Sequence, residues 1–131
     1  LIKEYESWYL LLRFEQPTLG SLILITKHEE TQYSEINKVS FIEFSKIVKE
    51  IEPILKSLFN YKKINYLMLM MSDPEVHYHI IPRYSENKIF QGSEFKDFGW
   101  PSLPLLNKIN ITSPSLERQL LKELIICFNN N

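Results

Sequence analysis

The chain has 131 residues, 44% of them apolar, which suits one ordinary globular domain with a real core and leaves no room for a second. Its 15 Lys and Arg nearly balance 16 Asp and Glu, so there is no overall basic field of the kind that binds nucleic-acid polymers, and an anionic ligand must be held by a local site. The single cysteine, Cys127, excludes an internal disulfide framework and a multi-cysteine zinc site, and no apolar stretch approaches the roughly 20 residues needed to cross a bilayer.

The first residues, Leu1 to Glu6, are acidic and lack the basic region that opens a secretory signal, so a cytoplasmic protein is expected. Trp8 to Phe14 is a dense aromatic and aliphatic run that predicts a buried strand. Gln16 to Gly20 supplies turn chemistry, and Ser21 to Thr26, rich in Ile and Leu, predicts a second strand and a β-hairpin. Lys27 to Asn37 is polar and predicts irregular structure. From Val39 to Phe59 apolar residues (Phe41, Phe44, Ile47, Val48, Ile51, Leu55, Leu58) recur at three- and four-residue steps, the pattern of an amphipathic helix. Pro53 inside that pattern should kink the helix or end its first segment.

Asn65 to Met71 and Val76 to Pro82 predict a third and fourth strand, paired antiparallel across the Ser72-Asp73-Pro74-Glu75 turn. After Tyr84 the chain reads as loop, punctuated by Gly92, Gly99, Pro101 and Pro104. A final helix is expected over Leu116 to Phe128, with Ser113 or Ser115 as N-cap and Glu117 favouring the helix dipole. This order predicts an α+β fold around an antiparallel sheet, with one long amphipathic helix and a C-terminal helix.

Core packing explains most apolar positions, and Met68, Met70 and Met71 read as gap-fillers. Tyr5, Trp8 and Tyr9 read as core aromatics that can otherwise stack on a base. Phe98-Gly99-Trp100-Pro101 can wall a pocket or bury against a partner subunit. The pair His77 and His79 asks for more. Residues two apart on a strand point to one face, about 7 Å apart, so these imidazoles project together while Val76, Tyr78 and Ile80 face the other way. With an unperturbed pKa of about 6.5, one ring can act as nucleophile and the other as acid or phosphate donor. Taken alone, such a pair is equally open to structural, metal-binding and catalytic readings.

Val76-His77-Tyr78-His79-Ile80-Ile81-Pro82-Arg83 resembles the signature of the histidine triad (HIT) family of nucleotide hydrolases and transferases, in which three alternating strand histidines precede two apolar residues and often Pro-Arg. Thr18 to His28 resembles that family's glycine-led strand ending in a basic turn, and the helix and Asn65-opened strand fall in the expected order. The similarity spans about residues 5 to 84.

The resemblance implies a HIT-like domain over 1–131, a homodimer, no cofactor, and hydrolysis or transfer at the α-phosphate of a dinucleoside polyphosphate or nucleoside phosphoramidate. It implies His77 as nucleophile, His79 as phosphate contact and Ser72 as a hydroxyl against the phosphates. Asn65 is expected to orient a ring or cap its strand, and Arg83 to neutralise phosphate or stand exposed at a strand end. Lys27, with His28 beside it, is a further candidate for the substrate site.

Two positions depart from the pattern. Glu75 holds the first triad seat, where a carboxylate can hydrogen-bond an imidazole or repel polyphosphate, and Ser21 replaces the histidine that often follows the glycine. These substitutions leave a nucleotide-binding module with little catalysis as a second reading. A third is a metal-dependent enzyme using Glu75, His77 and His79, although such positions on one straight strand span roughly 13 Å, too wide for one small ion without another segment.

Overall fold

The computed structural model describes residues 1–130. Five strands, β1 (Lys3–Glu4), β2 (Trp8–Leu12), β3 (Leu22–Thr26), β4 (Lys63–Leu67) and β5 (His77–Arg83), form an antiparallel sheet in the order β1-β2-β3-β5-β4. The predicted α+β architecture is therefore present. Alternation sets the core face: Leu10, Leu24 and Tyr78 lie in register across three strands and are buried. Fully burying one such side chain contributes about 1.5–3 kcal/mol.

Helix α1 (Lys38–Phe59) covers that face, capped by Asn37, whose side chain accepts from the Ser40 amide. Ile47, Ile51, Ile54, Leu55 and Phe59 form its buried stripe. The Trp8 indole donates to the Ser40 carbonyl at 3.0 Å, and Phe44 stacks on Tyr78 with ring centroids 4.7 Å apart, fixing α1 across the sheet. Of the two outcomes expected at Pro53, a kink or an end, the helix does not end there. Pro53 is exposed, so the Lys49 carbonyl that loses its donor can be hydrated while Ile51, Ile54 and Leu55 stay buried. Gly20 closes the β2–β3 connection at φ +84°, and a Cβ there would stand 2.8 Å from the Phe59 ring.

Strand β4 starts two residues earlier than expected and stops at Leu67, the partner of His79. Met68 to Met71 lie outside the sheet, and Met70 among them takes a left-handed conformation (φ 56°). The segment after Tyr84 is more ordered than its composition suggests. It contains a hairpin of β6 (Lys88–Phe90) and β7 (Ser93–Phe95), joined by Gln91 and Gly92, both at positive φ as a primed turn requires. Asn110 then ties the segment down: its side-chain amide donates to the carbonyls of Gln16, Pro17 and Lys96, and its oxygen accepts from the Lys96 amide. Helix α2 (Pro114–Asn129) follows, capped by Ser113 and burying Leu116, Leu120, Leu124 and Phe128. No described helix is long and apolar enough to cross a membrane.

Candidate active site

The period-two alternation of β5 divides its residues as expected. Tyr78 turns toward Trp8 and Phe44, while His77 and His79 share the other face with ring centroids 5.0 Å apart. The two imidazoles open into a cleft of about 200 Å³ lined also by Arg13, Leu69, Met71, Ser72, Asp73 and Leu106. Leu69 and Met71, on either side of the left-handed Met70, reach it from the segment that follows β4.

Hydrogen-bond chemistry assigns the ring protons. The Glu75 carbonyl lies 2.8 Å from His77 Nδ1 and can only accept, so in the neutral ring Nδ1 carries the proton and Nε2 keeps its lone pair. Arg13 Nη1 lies 3.0 Å from His79 Nδ1 and can only donate, so in the neutral ring the proton is on Nε2. With both rings neutral, the cleft thus pairs a nitrogen lone pair with an N–H donor on alternate positions of one strand. Burial, then the Arg13 guanidinium and His77, hold the His79 pKa below its ordinary value, against an opposing pull from Asp73. His77 is only 2% exposed, so an anion that reaches it leaves most of its water behind.

The expected site residues divide into two groups. His77, His79 and Ser72 line the cleft. Glu75 contributes its backbone, not its carboxylate: it lies in the bend before β5, where the strand has not yet begun, so alternation does not carry its side chain onto the His77 face. The expected carboxylate–imidazole contact is replaced by a carbonyl one. Ser21 is buried and its hydroxyl donates to the Thr18 carbonyl at 2.8 Å, a role in the turn.

Asn65, Arg83 and Lys27 do not line the cleft. Arg83 is neither exposed nor at a phosphate seat: Nε donates to Asp97 at 2.7 Å, Nη2 to the same carboxylate, and Nη1 to Asn65 Oδ1. Asn65 accordingly orients a guanidinium rather than a catalytic ring. Lys27 is paired with Glu4 at 2.5 Å and also donates to the Tyr5 carbonyl. His28 is exposed. Among the described residues no three His, Cys, Asp or Glu side chains are grouped to hold a metal ion, so the Glu75–His77–His79 metal arrangement is not formed.

Sequence reasoning missed Arg13. Its guanidinium is half-buried and donates to His79, to the Glu15 carbonyl at 2.9 Å and, at 3.4 Å, to the Leu106 carbonyl. The available signal was a lone cation ending an apolar strand, Leu10-Leu11-Leu12-Arg13.

Neither a protein-family model nor a curated protein matches the chain in sequence. Solved structures do match in fold. A hypothetical histidine triad nucleotide-binding protein from Sulfolobus tokodaii superposes with a TM-score of 0.71 at 19% identity, over 98% of this chain and 83% of that one. A histidine triad protein from Sinorhizobium meliloti gives 0.72 at 17% identity, over 95% and 85%. The Plasmodium falciparum diadenosine triphosphate hydrolase, in complex with Cyclomarin A, gives 0.66 at 16% identity, over 98% and 74%. The chain has the histidine triad fold.

Proposed function

We propose that this chain belongs to the histidine triad family and is a nucleotide hydrolase or transferase acting at the α-phosphate of a nucleotide conjugate, with His77 as nucleophile. The observation that carries this reading is the proton assignment of His77: Nδ1–H is spent on the Glu75 carbonyl, leaving the Nε2 lone pair for phosphorus. Attack by Nε2 leaves a cationic nucleotidyl-imidazole, and the Glu75 carbonyl on Nδ1–H stabilises that charge. His79 Nε2–H donates to a phosphate oxygen, and the Ser72 hydroxyl and the Arg13 guanidinium add donors around the charge that spreads over the oxygens. The Glu75 carbonyl thus orients the His77 ring, a backbone role that does not depend on the glutamate side chain. The hydrolase among the structural neighbours supports the same chemistry. The homodimer belongs to this proposal and is read from the sedimentation of the purified protein.

The test is cleavage of diadenosine triphosphate and adenosine 5′-phosphoramidate by wild type and His77→Ala. Release of AMP by wild type, reduced at least about 1000-fold in the variant, supports the reading. Binding of nucleotide by both proteins with cleavage by neither refutes it and leaves a binding module.

A further inference from the structure

The cleft holds a cation with an unusual partner. Arg13 Nη1 donates to His79 Nδ1 at 3.0 Å, so that nitrogen cannot take a proton unless the guanidinium lets go. His79 is thereby held as a neutral donor and is hindered from becoming an imidazolium, the form able to hand over a proton. Arg13 itself remains charged and makes no ion pair among the described residues. Three of its N–H groups are taken by His79, Glu15 and Leu106, the other two make no hydrogen bond among the described residues, and the side chain lines the cleft.

We infer that Arg13 is a specificity-determining residue that selects conjugates whose leaving group departs as a phosphate or polyphosphate anion over nucleoside phosphoramidates. The inference rests on the hydrolase reading above. In the first step a bond forms between His77 Nε2 and the α-phosphorus, and the bridging P–O bond breaks with its electron pair on the departing phosphate oxygen. That oxygen needs no proton at neutral pH, and Arg13 stabilises its charge. Water then attacks the same phosphorus, the P–N bond breaks with its pair returning to Nε2, and the water proton goes to bulk solvent. A phosphoramidate differs at the first step. Its pair would leave on nitrogen, which requires a proton from an acid, and Arg13 opposes the cationic His79 that would supply one. The charged and titratable groups around His79 are Arg13 at the end of β2, His77 on β5 and Asp73 in the preceding loop, and of these Asp73 alone favours the imidazolium.

The experiment measures kcat/KM for diadenosine triphosphate and adenosine 5′-phosphoramidate with wild type and Arg13→Met from pH 5 to 8. It also records the ¹H–¹⁵N spectrum of the His79 ring in the wild-type protein, which does not depend on any variant folding. Wild type should prefer the triphosphate. Arg13→Met should lose about 100-fold on the triphosphate and less than about 10-fold on the phosphoramidate, with the phosphoramidate rate rising toward low pH as His79 becomes protonatable. The ring spectrum should show Nδ1 unprotonated and Nε2 protonated near neutral pH. Equal losses on both substrates, a wild-type preference for the phosphoramidate, or a protonated Nδ1 each overturn the assignment while leaving the His77 hydrolase intact. Cleavage of neither substrate by wild type overturns the hydrolase reading and this inference together.

Discussion

Two arginines reach the sheet face that carries His77 and His79, and they are held in opposite ways. Arg83 is 4% exposed and meets a carboxylate through two nitrogens, with Asn65 on the third and Asp97 also accepting from the Tyr84 amide. Its charge is cancelled, and the cluster joins β5 to the segment beyond β7. Arg13 is half-buried, bonded to an uncharged ring and to backbone carbonyls, and its charge is left for whatever enters the cleft. Partial burial lowers its pKa somewhat, against the pull of Glu15. Removing water from a cation without supplying a counter-ion costs free energy, and such a cost is retained where an anionic ligand will later meet the charge. The difference separates an arginine whose charge is paired within the fold from one that lines the cleft without a counter-ion among the described residues.

The largest expected effect falls on the sealed cluster. Asp97→Ala strands a buried guanidinium and should lower stability by about 3–5 kcal/mol in urea unfolding. Arg13→Met should cost about 1 kcal/mol or less by the same measurement, since its lost bonds go to groups that water can satisfy. An Arg13→Met loss as large as that of Asp97→Ala would erase the distinction. Ser72→Ala, at the exposed rim, should lower kcat/KM by only about 3- to 10-fold, because one neutral hydroxyl is a weaker donor to phosphate than a guanidinium.

The smallest effect is on pH dependence. His79 has a folded pKa below its unfolded value of about 6.5, so below that pH the unfolded chain binds the proton first. Stability should therefore fall as pH drops through about 6.5 and level off below the folded value. The decline should be shallower in His79→Gln, measured as urea midpoints at pH 7, 6 and 5. Identical pH slopes in both proteins would place the titration elsewhere.

The sheet and the histidine pair were legible because period-two alternation is local: Leu10, Leu24 and Tyr78 inside, His77 and His79 on the other side. Contacts over long sequence separation were not. Arg13 is identified only through His79, 66 residues away, and Arg83 changes from a phosphate contact to a structural cation only through Asp97, 14 residues on. Glu75 was placed by extending strand alternation into the bend that runs from Met71 to Glu75, and the carbonyl that replaced its carboxylate carries no side-chain signal. The hairpin of β6 and β7 escaped because three-residue strands give too little alternation, although Gln91-Gly92 marks its turn.

In the proposed reaction His77 Nε2 becomes covalently nucleotidylated. Wild-type protein mixed rapidly with diadenosine triphosphate, quenched in alkali to preserve a phosphorus–nitrogen bond, and mapped by peptide mass spectrometry tests it directly. An adenylyl group on the peptide at His77, absent from His77→Ala, is the predicted result. Turnover with the label on another residue, or undiminished cleavage by His77→Ala, would contradict it.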